Sequence, residues 1–189
     1  RPHQIANKGM VRTFQLTKSL AKMTVIDNML LGAAEQKGES LRNALLPSRW
    51  QKQEKEILEK AEDLLERFKL SHMRDEYAAT LSGGQRKLLE MARALMSEPK
   101  LILLDEPMAG VNPVLVESLL VHIENLRDEG VSVLFIEHDM DAIMGISDWI
   151  VVLAEGQVIA EGTPSDVSKN PAVIDAYLGS AIAEELKDV

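Results

Sequence analysis

The chain has 189 residues, with 21 Lys and Arg against 30 Asp and Glu, so its formal net charge is −9. This acidic balance argues against non-specific nucleic-acid binding, which depends on cationic side chains that neutralise phosphates. The absence of cysteine excludes disulfides and thiolate metal sites, and no apolar run approaches the roughly 20 residues that span a bilayer. We therefore expect a soluble, cytosolic chain of one domain with a sub-domain, without a signal peptide.

Helices dominate the predicted elements of the first half of the chain. Residues 10–16 predict a short strand that runs into a loop, and Thr24 is placed as a helix N-cap. Residues 51–69 have apolar side chains at a 3.6-residue period, with Glu and Lys on the other face, which predicts an amphipathic helix. Another helix is predicted to follow Leu81–Gln85, with Leu88 among its apolar residues.

Strands and helices alternate in the second half. The continuous apolar runs Leu101–Leu104 and Val131–Ile136 predict two buried strands. Asn112-Pro113 predicts the start of a helix that ends before Gly130, because a capping residue followed by proline favours a helix start. Glu155-Gly156 lies between two short apolar runs and predicts a hairpin. Two more short helices are expected near the C-terminus.

Two carboxylates, Asp105 and Glu106, follow the run Leu101–Leu104 directly. This order places them at the carboxyl edge of a sheet, where α/β folds bind their ligands. One carboxylate at such an edge holds Mg²⁺, and the next activates a water molecule as a general base. The alternative is a strand that ends in solvent with two charges.

The segment Ser82-Gly83-Gly84-Gln85 also has two interpretations. Ser82 with Gln85 three residues later forms a capping box, which only begins a helix. The same helix N-terminus presents N–H donors and a positive dipole end to a phosphate, and glycine lets an anion approach the backbone closely. Two adjacent glycines are more than a cap requires.

Gln15 and His138 each follow a predicted strand. At a strand's carboxyl end an imidazole reaches a phosphate or orients a water molecule, so His138 is a candidate site residue; the alternative is a polar loop residue. Gln15 is a candidate on its position alone. The other histidines have no spacing that indicates a metal site.

Taken together, these motifs resemble those of the ABC (ATP-binding cassette) ATPases. Their order and spacing match the family over residues 10–180. Ala109–Asn112 lies where the D-loop is expected, and Asn112, which replaces the commoner Asp, also fits a helix N-cap. The remaining matches are Gln15 to the Q-loop, Leu81–Gln85 to the LSGGQ signature, Leu101–Glu106 to the Walker B strand with its catalytic Glu, and His138 to the switch histidine.

Finer features are similar to the ATPases of branched-chain amino-acid importers. They are Arg12–Gln15, the Ala-Gly-Val-Asn-Pro D-loop, the segment 136–148 and the tail from Asn170 to Gly179. Relatives in that group often have a diverged signature, whereas this chain has the full Leu-Ser-Gly-Gly-Gln.

The resemblance implies an α/β fold, namely a partial P-loop NTPase fold of the ABC ATPase type. It has a mostly parallel sheet flanked by helices and an α-helical sub-domain that holds the signature. We expect residues 1–19 to form the Q-loop strand and loop, and 20–97 the helical sub-domain. Residues 98–162 are expected to form the RecA-like core with Walker B, D-loop and H-loop, and 163–189 the C-terminal helices.

The resemblance also implies an ATP-hydrolysing subunit of an importer for branched-chain or other amino acids, with ATP and Mg²⁺ as cofactors. Its partners would be transmembrane permease subunits and a second ABC ATPase, with no nucleic acid and no direct membrane insertion. Its location would be cytoplasmic, peripheral on the inner face of the cell membrane. In this family two cassettes sandwich two ATP molecules, each of which lies against the signature of the other subunit.

The family's residue roles carry over to matching positions. Asp105 and Gln15 would hold Mg²⁺, Glu106 would activate the attacking water, and His138 would contact the γ-phosphate. Asn112 would lie beside the nucleotide in the D-loop. The signature residues, which would close on the partner's ATP, are Leu81, Ser82, Gly83, Gly84 and Gln85.

One family motif has no match. The phosphate loop Gly-x-x-x-x-Gly-Lys-Ser/Thr is absent, since the sequence has no Gly-Lys dipeptide. We therefore expect that the chain begins downstream of Walker A and that these residues alone are inactive. The alternative is a non-catalytic, Walker-A-less half-cassette with an interaction or regulatory role. An ABC ATPase of DNA repair is a third interpretation, which the lack of sustained heptads in 51–69 disfavours.

Overall fold

A computed structural model describes residues 2–6, 8–13, 20–39, 43 and 45–177. Gln15 and the expected Q-loop around it lie outside these described residues. The helices are α1 (Pro2–Ala6), α2 (Val25–Leu30), α3 (Gln51–Arg67), α4 (Gly83–Leu95), α5 (Pro113–Asp128), α6 (Met140–Ile146), α7 (Pro164–Val167) and α8 (171–177). The strands are β1 (Met10–Arg12), β2 (Leu101–Asp105), β3 (Ser132–Ile136), β4 (Ile150–Ala154) and β5 (Gln157–Gly162).

The chain divides into two compact units, Arg1–Glu137 and His138–Val189. The first contains α1 to α5 and the parallel strands, and the second contains the hairpin and the C-terminal helices. The division expected from the sequence, into residues 1–19, 20–97, 98–162 and 163–189, stays a prediction. No helix among the described residues is long and apolar enough to cross a membrane.

A three-stranded parallel sheet in the order β1-β2-β3 forms the centre of the first unit. Parallel neighbours need a crossover connection, which α5 supplies between β2 and β3. Ile102 and Leu104 on one face of β2 are buried, with 0% and 1% of their surface exposed. The predicted mixed α/β composition, with a parallel sheet and flanking helices, is confirmed.

Strand β3 differs from its prediction as a buried strand. Leu134 and Ile136 each expose 52% of their surface, whereas Val133 and Phe135 are partly buried. The continuous apolar run predicted burial on both faces, but among the described residues one face of β3 is left uncovered. The strand also begins at Ser132 rather than at Val131.

The helical part of the first unit is held by caps that the sequence predicts well. The Asp27 N–H donates to Thr24 Oγ1 over 3.1 Å, which confirms Thr24 as the N-cap of α2. Asn28 is fully buried, and its amide oxygen accepts from the Leu20 N–H over 2.8 Å while its NH₂ donates to the Thr24 carbonyl over 2.9 Å. These bonds fix the start of the helical region.

Helix α3 ends at Arg67, two residues before the predicted end. Lys69 has a φ of 56°, and the Leu70 N–H donates to the Leu65 carbonyl over 2.7 Å while the Lys69 N–H donates to the Glu66 carbonyl over 2.9 Å. This is the Schellman arrangement, which usually places glycine in the left-handed position. With lysine there, the sequence carried no stop signal.

The second unit confirms the predicted hairpin. Glu155 and Gly156 have φ values of 50° and 78°, as a tight turn matched to the twist of two strands requires. Its small core centres on Ile150, Val167 and Val173, all less than a tenth exposed. Thr163 and Asp166 form a capping box at the start of α7, which explains why Thr163-Pro164 begins a helix.

Candidate functional site

The signature segment begins α4 as the capping box predicts. The Gln85 N–H donates to Ser82 Oγ over 3.2 Å, and the Ser82 N–H donates to Gln85 Oε1 over 2.9 Å. Leu81 is buried, with 2% of its surface exposed. Ser82 and Gly83 are exposed, so the first N–H groups of the helix, which have no intrahelical acceptor, lie at an accessible surface.

The first signature glycine is open to an approaching ligand. Gly83 does not have a positive φ, and the nearest atom to a Cβ placed on it would be the Gly110 carbonyl oxygen at 4.0 Å. Neither backbone conformation nor packing therefore explains glycine at this position. The open backbone at Gly83 is compatible with anion binding, which requires close access to the backbone, and this role of Gly83 stays a prediction.

Asp105 and Glu106 lie at the carboxyl end of β2, as predicted. Asp105 Oδ2 accepts from Arg12 Nη2 at the end of β1 over 2.9 Å. The Glu106 N–H donates to the Ile136 carbonyl over 3.0 Å, which continues the pairing with β3 by one residue. Glu106 has a φ of 44°, so the chain turns sharply at the candidate base.

Asn112 is the N-cap of α5, because its Oδ1 accepts from the Leu115 N–H over 2.9 Å. This confirms the capping role expected from Asn112-Pro113. Its place beside a nucleotide stays a prediction. Gly110, two residues earlier, has a φ of 69° and turns the chain into the cap.

Sequence reasoning missed two charged residues of this region. Glu137 Oε1 accepts from the Met108 N–H over 2.7 Å, and Lys87 Nζ donates to the Glu106 carbonyl over 2.6 Å. The position of Glu137 directly after an apolar strand was the available signal for it. Nothing local marks Lys87, since its partner lies 19 residues further along the chain.

The first unit therefore brings the signature helix, the β2 terminus and the D-loop together. His138 is the first residue of the second unit, directly before Asp139, which accepts from the Ala142 N–H over 3.1 Å as the N-cap of α6. Gln15 lies outside the described residues. The His138 and Gln15 assignments stay predictions.

Within the described part of the chain, the donor set fits a nucleotide-bound magnesium ion and does not form a dedicated protein cage. Among the described residues there is no group of three or more His, Cys, Asp or Glu that could hold a metal. Mg²⁺ bound with a nucleotide needs only one or two carboxylates, because phosphate and water oxygens complete its shell. Asp105 at the end of β2 provides one.

Comparison with known families gives two matches. Residues 1–109 match the model of the ABC transporter family, and residues 157–183 match that of the branched-chain amino acid ATP-binding cassette transporters. The first match contains the signature and the carboxylates at the end of β2.

Individual relatives agree. A probable branched-chain amino acid transport ATP-binding protein LivG from Archaeoglobus fulgidus is 49% identical over 183 residues, which cover 97% of this chain and 70% of the relative. The high-affinity branched-chain amino acid transport ATP-binding protein BraF from Pseudomonas aeruginosa is 41% identical, over 95% of this chain and 71% of its own length.

Solved structures share the fold. The ADP conformation of an ATP-binding cassette from an ABC transporter superposes with a TM-score of 0.76 at 42% identity, over 95% of this chain and 72% of that one. A nucleotide-free cassette gives 0.75 at 41% identity, over 94% and 71%. These matches confirm the expected P-loop NTPase fold. The chain belongs to the ATP-binding cassette proteins of ABC transporters, a family that binds ATP, in the group of the branched-chain amino-acid transport ATPases.

Proposed function

We propose that this chain is the ATP-hydrolysing subunit of an ABC importer for branched-chain amino acids. The observation that carries the proposal is the pair Asp105 and Glu106 at the carboxyl end of the central strand β2, in a chain 49% identical to a LivG protein. ABC ATP-binding subunits of transporters act with transmembrane permease subunits, which provide the path for the solute.

The carboxylates at the end of β2 divide the chemistry of phosphoryl transfer. We assign Asp105, with Gln15, to holding Mg²⁺, which supplies charge stabilisation to the phosphates when bound. We assign Glu106 the role of the general base that takes the proton of the attacking water, and His138 that of a contact to the γ-phosphate. Such a reaction depends mainly on positioning and charge stabilisation.

The signature acts on a second nucleotide. The helix N-terminus, exposed at Ser82 and Gly83 and followed by the buried Gly84, offers N–H donors and the positive end of the α4 dipole to the phosphates of an ATP held by a partner cassette. Leu81 anchors this segment in the core, and Gln85 closes the capping box. Asn112 lies in the D-loop next to this surface.

This arrangement requires a dimer of cassettes, either of this chain with itself or with a related ATPase. We place the dimer on the inner face of the cell membrane, against the permease subunits. The overall charge of −9 does not attract phosphates, so binding must depend on local donors such as the α4 N-terminus and on the metal.

Reconstitution tests the proposal. The transporter, assembled in lipid vesicles from its permease subunits and from cassettes in which these residues are joined to a phosphate loop, should hydrolyse Mg-ATP and accumulate leucine, isoleucine or valine when ATP is present on the cassette side. Hydrolysis without uptake of these amino acids would overturn the proposal that branched-chain amino acids are the transported solute. Absence of hydrolysis in a correctly assembled complex would favour the alternative, a non-catalytic regulatory half-cassette.

A further inference from the structure

Glu106 has a backbone conformation that its surroundings in the sequence disfavour. Its φ is 44°, in the left-handed region where a side chain larger than that of glycine is strained. Pro107 follows it, and a residue before proline is normally driven into extended structure. Contacts from the rest of the molecule must therefore hold this residue in place.

Lys87 provides one of these contacts from α4. Its ammonium group donates to the Glu106 carbonyl oxygen over 2.6 Å, and the Ala109 N–H donates to the same oxygen over 3.2 Å. On the other side, the Glu106 N–H donates to the Ile136 carbonyl. Both peptide groups that flank the Glu106 Cα are thus hydrogen-bonded, and the bond from Lys87 is strengthened by its charge.

The charges around Lys87 favour this placement. Burial has the largest effect and lowers the pKa of Lys87, while the negative charges of Glu137, Glu106 and Glu90 oppose it by stabilising the ammonium form. Glu137 in turn accepts from the Met108 N–H over 2.7 Å. The turn after β2 is consequently held from one side by a cation on α4 and from the other by a carboxylate that follows β3.

We propose that Lys87 is a positioning residue for Glu106: it fixes the turn from which the Glu106 carboxylate reaches the attacking water. The inference rests on the proposed function, because it requires Glu106 to act as the base. It has a structural consequence. Lys87 lies on the helix that begins at Ser82, so a single rigid helix joins the surface offered to the partner's nucleotide with the base that acts on this subunit's own nucleotide.

Two variants in the assembled transporter separate positioning from packing. Lys87→Met keeps an unbranched side chain of similar length and removes the donor, whereas Lys87→Arg keeps a donor. We expect Lys87→Met to lower kcat for ATP hydrolysis about 10- to 100-fold, the usual effect of a small misplacement of a reacting group, with little change in KM for ATP. Lys87→Arg should recover much of the rate. Lys52→Met, at an exposed lysine of α3, is the matched control and should behave as the parent.

The same substitution in a Glu106→Gln variant tests whether Lys87 acts on catalysis through Glu106. When Glu106→Gln has already removed the base, Lys87→Met should add little further loss, because residues that act through one another are not additive. An unchanged kcat for Lys87→Met, or an equal loss in both backgrounds, would overturn the proposal. A change confined to KM would do so as well.

Hydrogen exchange gives a readout that does not depend on activity. Loss of the Lys87 donor should speed exchange of the Met108 and Ala109 amides, which lie in the turn, and Lys87→Arg should restore their protection. Unchanged exchange in Lys87→Met would overturn the inference even if the complex hydrolyses ATP. If the parent complex shows no hydrolysis, the proposed function fails, and the exchange result still decides whether Lys87 holds the turn.

Discussion

Gly84 of the signature packs directly against Leu115 of α5. A Cβ placed on Gly84 would lie 2.5 Å from Leu115 Cδ1 and 3.3 Å from Val111 Cγ1, and the first distance is shorter than real side chains allow. At Gly83, the nearest such distance is 4.0 Å, to the Gly110 carbonyl oxygen. The two adjacent glycines therefore have different surroundings: Gly84 is closely packed, whereas the backbone at Gly83 is openly accessible.

This difference predicts opposite outcomes for the two alanine variants. Gly84→Ala should destabilise the cassette by about 1 kcal/mol, the low end of the usual cost of overpacking, because Leu115 Cδ1 is the end of a flexible side chain that can move aside. Gly83→Ala should change stability by less than about 0.5 kcal/mol. Gly83→Ala should nevertheless slow ATP hydrolysis in the assembled transporter, because its methyl group stands where a phosphate would approach the backbone. Urea unfolding and turnover measure the two effects. Equal destabilisation by both variants would contradict the assignment.

Glu106→Gln tests the general base. We expect turnover in the assembled transporter to fall about 10²- to 10⁴-fold, the usual contribution of a positioned base, while nucleotide affinity is retained. The matched control is Glu66→Gln, at an exposed glutamate of α3, which should leave the rate unchanged. A parent-like rate for Glu106→Gln would remove Glu106 from this role.

The ion pair between Arg12 and Asp105 predicts a change in metal requirement. The side chains are 55% and 23% exposed, and pairs of this kind contribute at most about 1 kcal/mol, so Arg12→Gln should affect folding little. Because Asp105 then loses a competing cation, the Mg²⁺ concentration that half-saturates hydrolysis should fall. Arg49→Gln, at an exposed arginine, is the control. An unchanged or higher Mg²⁺ requirement would contradict a metal role for Asp105.

Local signals account for the parts of the fold that the sequence predicts correctly. The caps at Thr24, Ser82 and Asn112 and the hairpin at Glu155-Gly156 each depend on a few adjacent residues. The carboxylates at the end of β2 follow from one apolar run. All of these are readable because the chemistry and the geometry lie within one short segment.

Long-range contacts account for the parts of the fold and of the site that the sequence does not predict. Lys87 and Glu137 join the site through bonds to residues 19 and 29 positions away, which no periodicity reveals. The end of α3 was misplaced because Lys69 occupies the left-handed position that glycine usually marks. The exposed face of β3 was missed because an apolar run indicates that both faces of a strand can be buried. It does not indicate whether another element of the chain covers each face.

The last prediction concerns His122, a buried histidine of α5 that the sequence did not single out. Its ring stacks on Phe68 with centroids 4.2 Å apart, and within the described part of the chain neither ring nitrogen has a hydrogen-bond partner. Burial lowers the pKa of His122 from its usual value of 6.5, and the positive charges of Arg67 and Lys69 lower it further. Glu129, which faces this region, accepts from Arg67 Nη1 over 2.9 Å.

The folded cassette consequently resists protonation of His122, whereas the unfolded chain protonates it near the usual pKa of 6.5. Stability is then full above that pH and decreases as the pH falls toward the depressed folded-state pKa, with a slope of at most about 1.4 kcal/mol per pH unit for one proton. His122→Phe keeps an aromatic ring against Phe68 and removes the titration, so its unfolding free energy should depend less on pH between roughly 7 and 5. Urea unfolding across this range, with His72→Phe as the exposed control, measures the slope. An identical slope in the parent and in His122→Phe would show that His122 is not the group responsible.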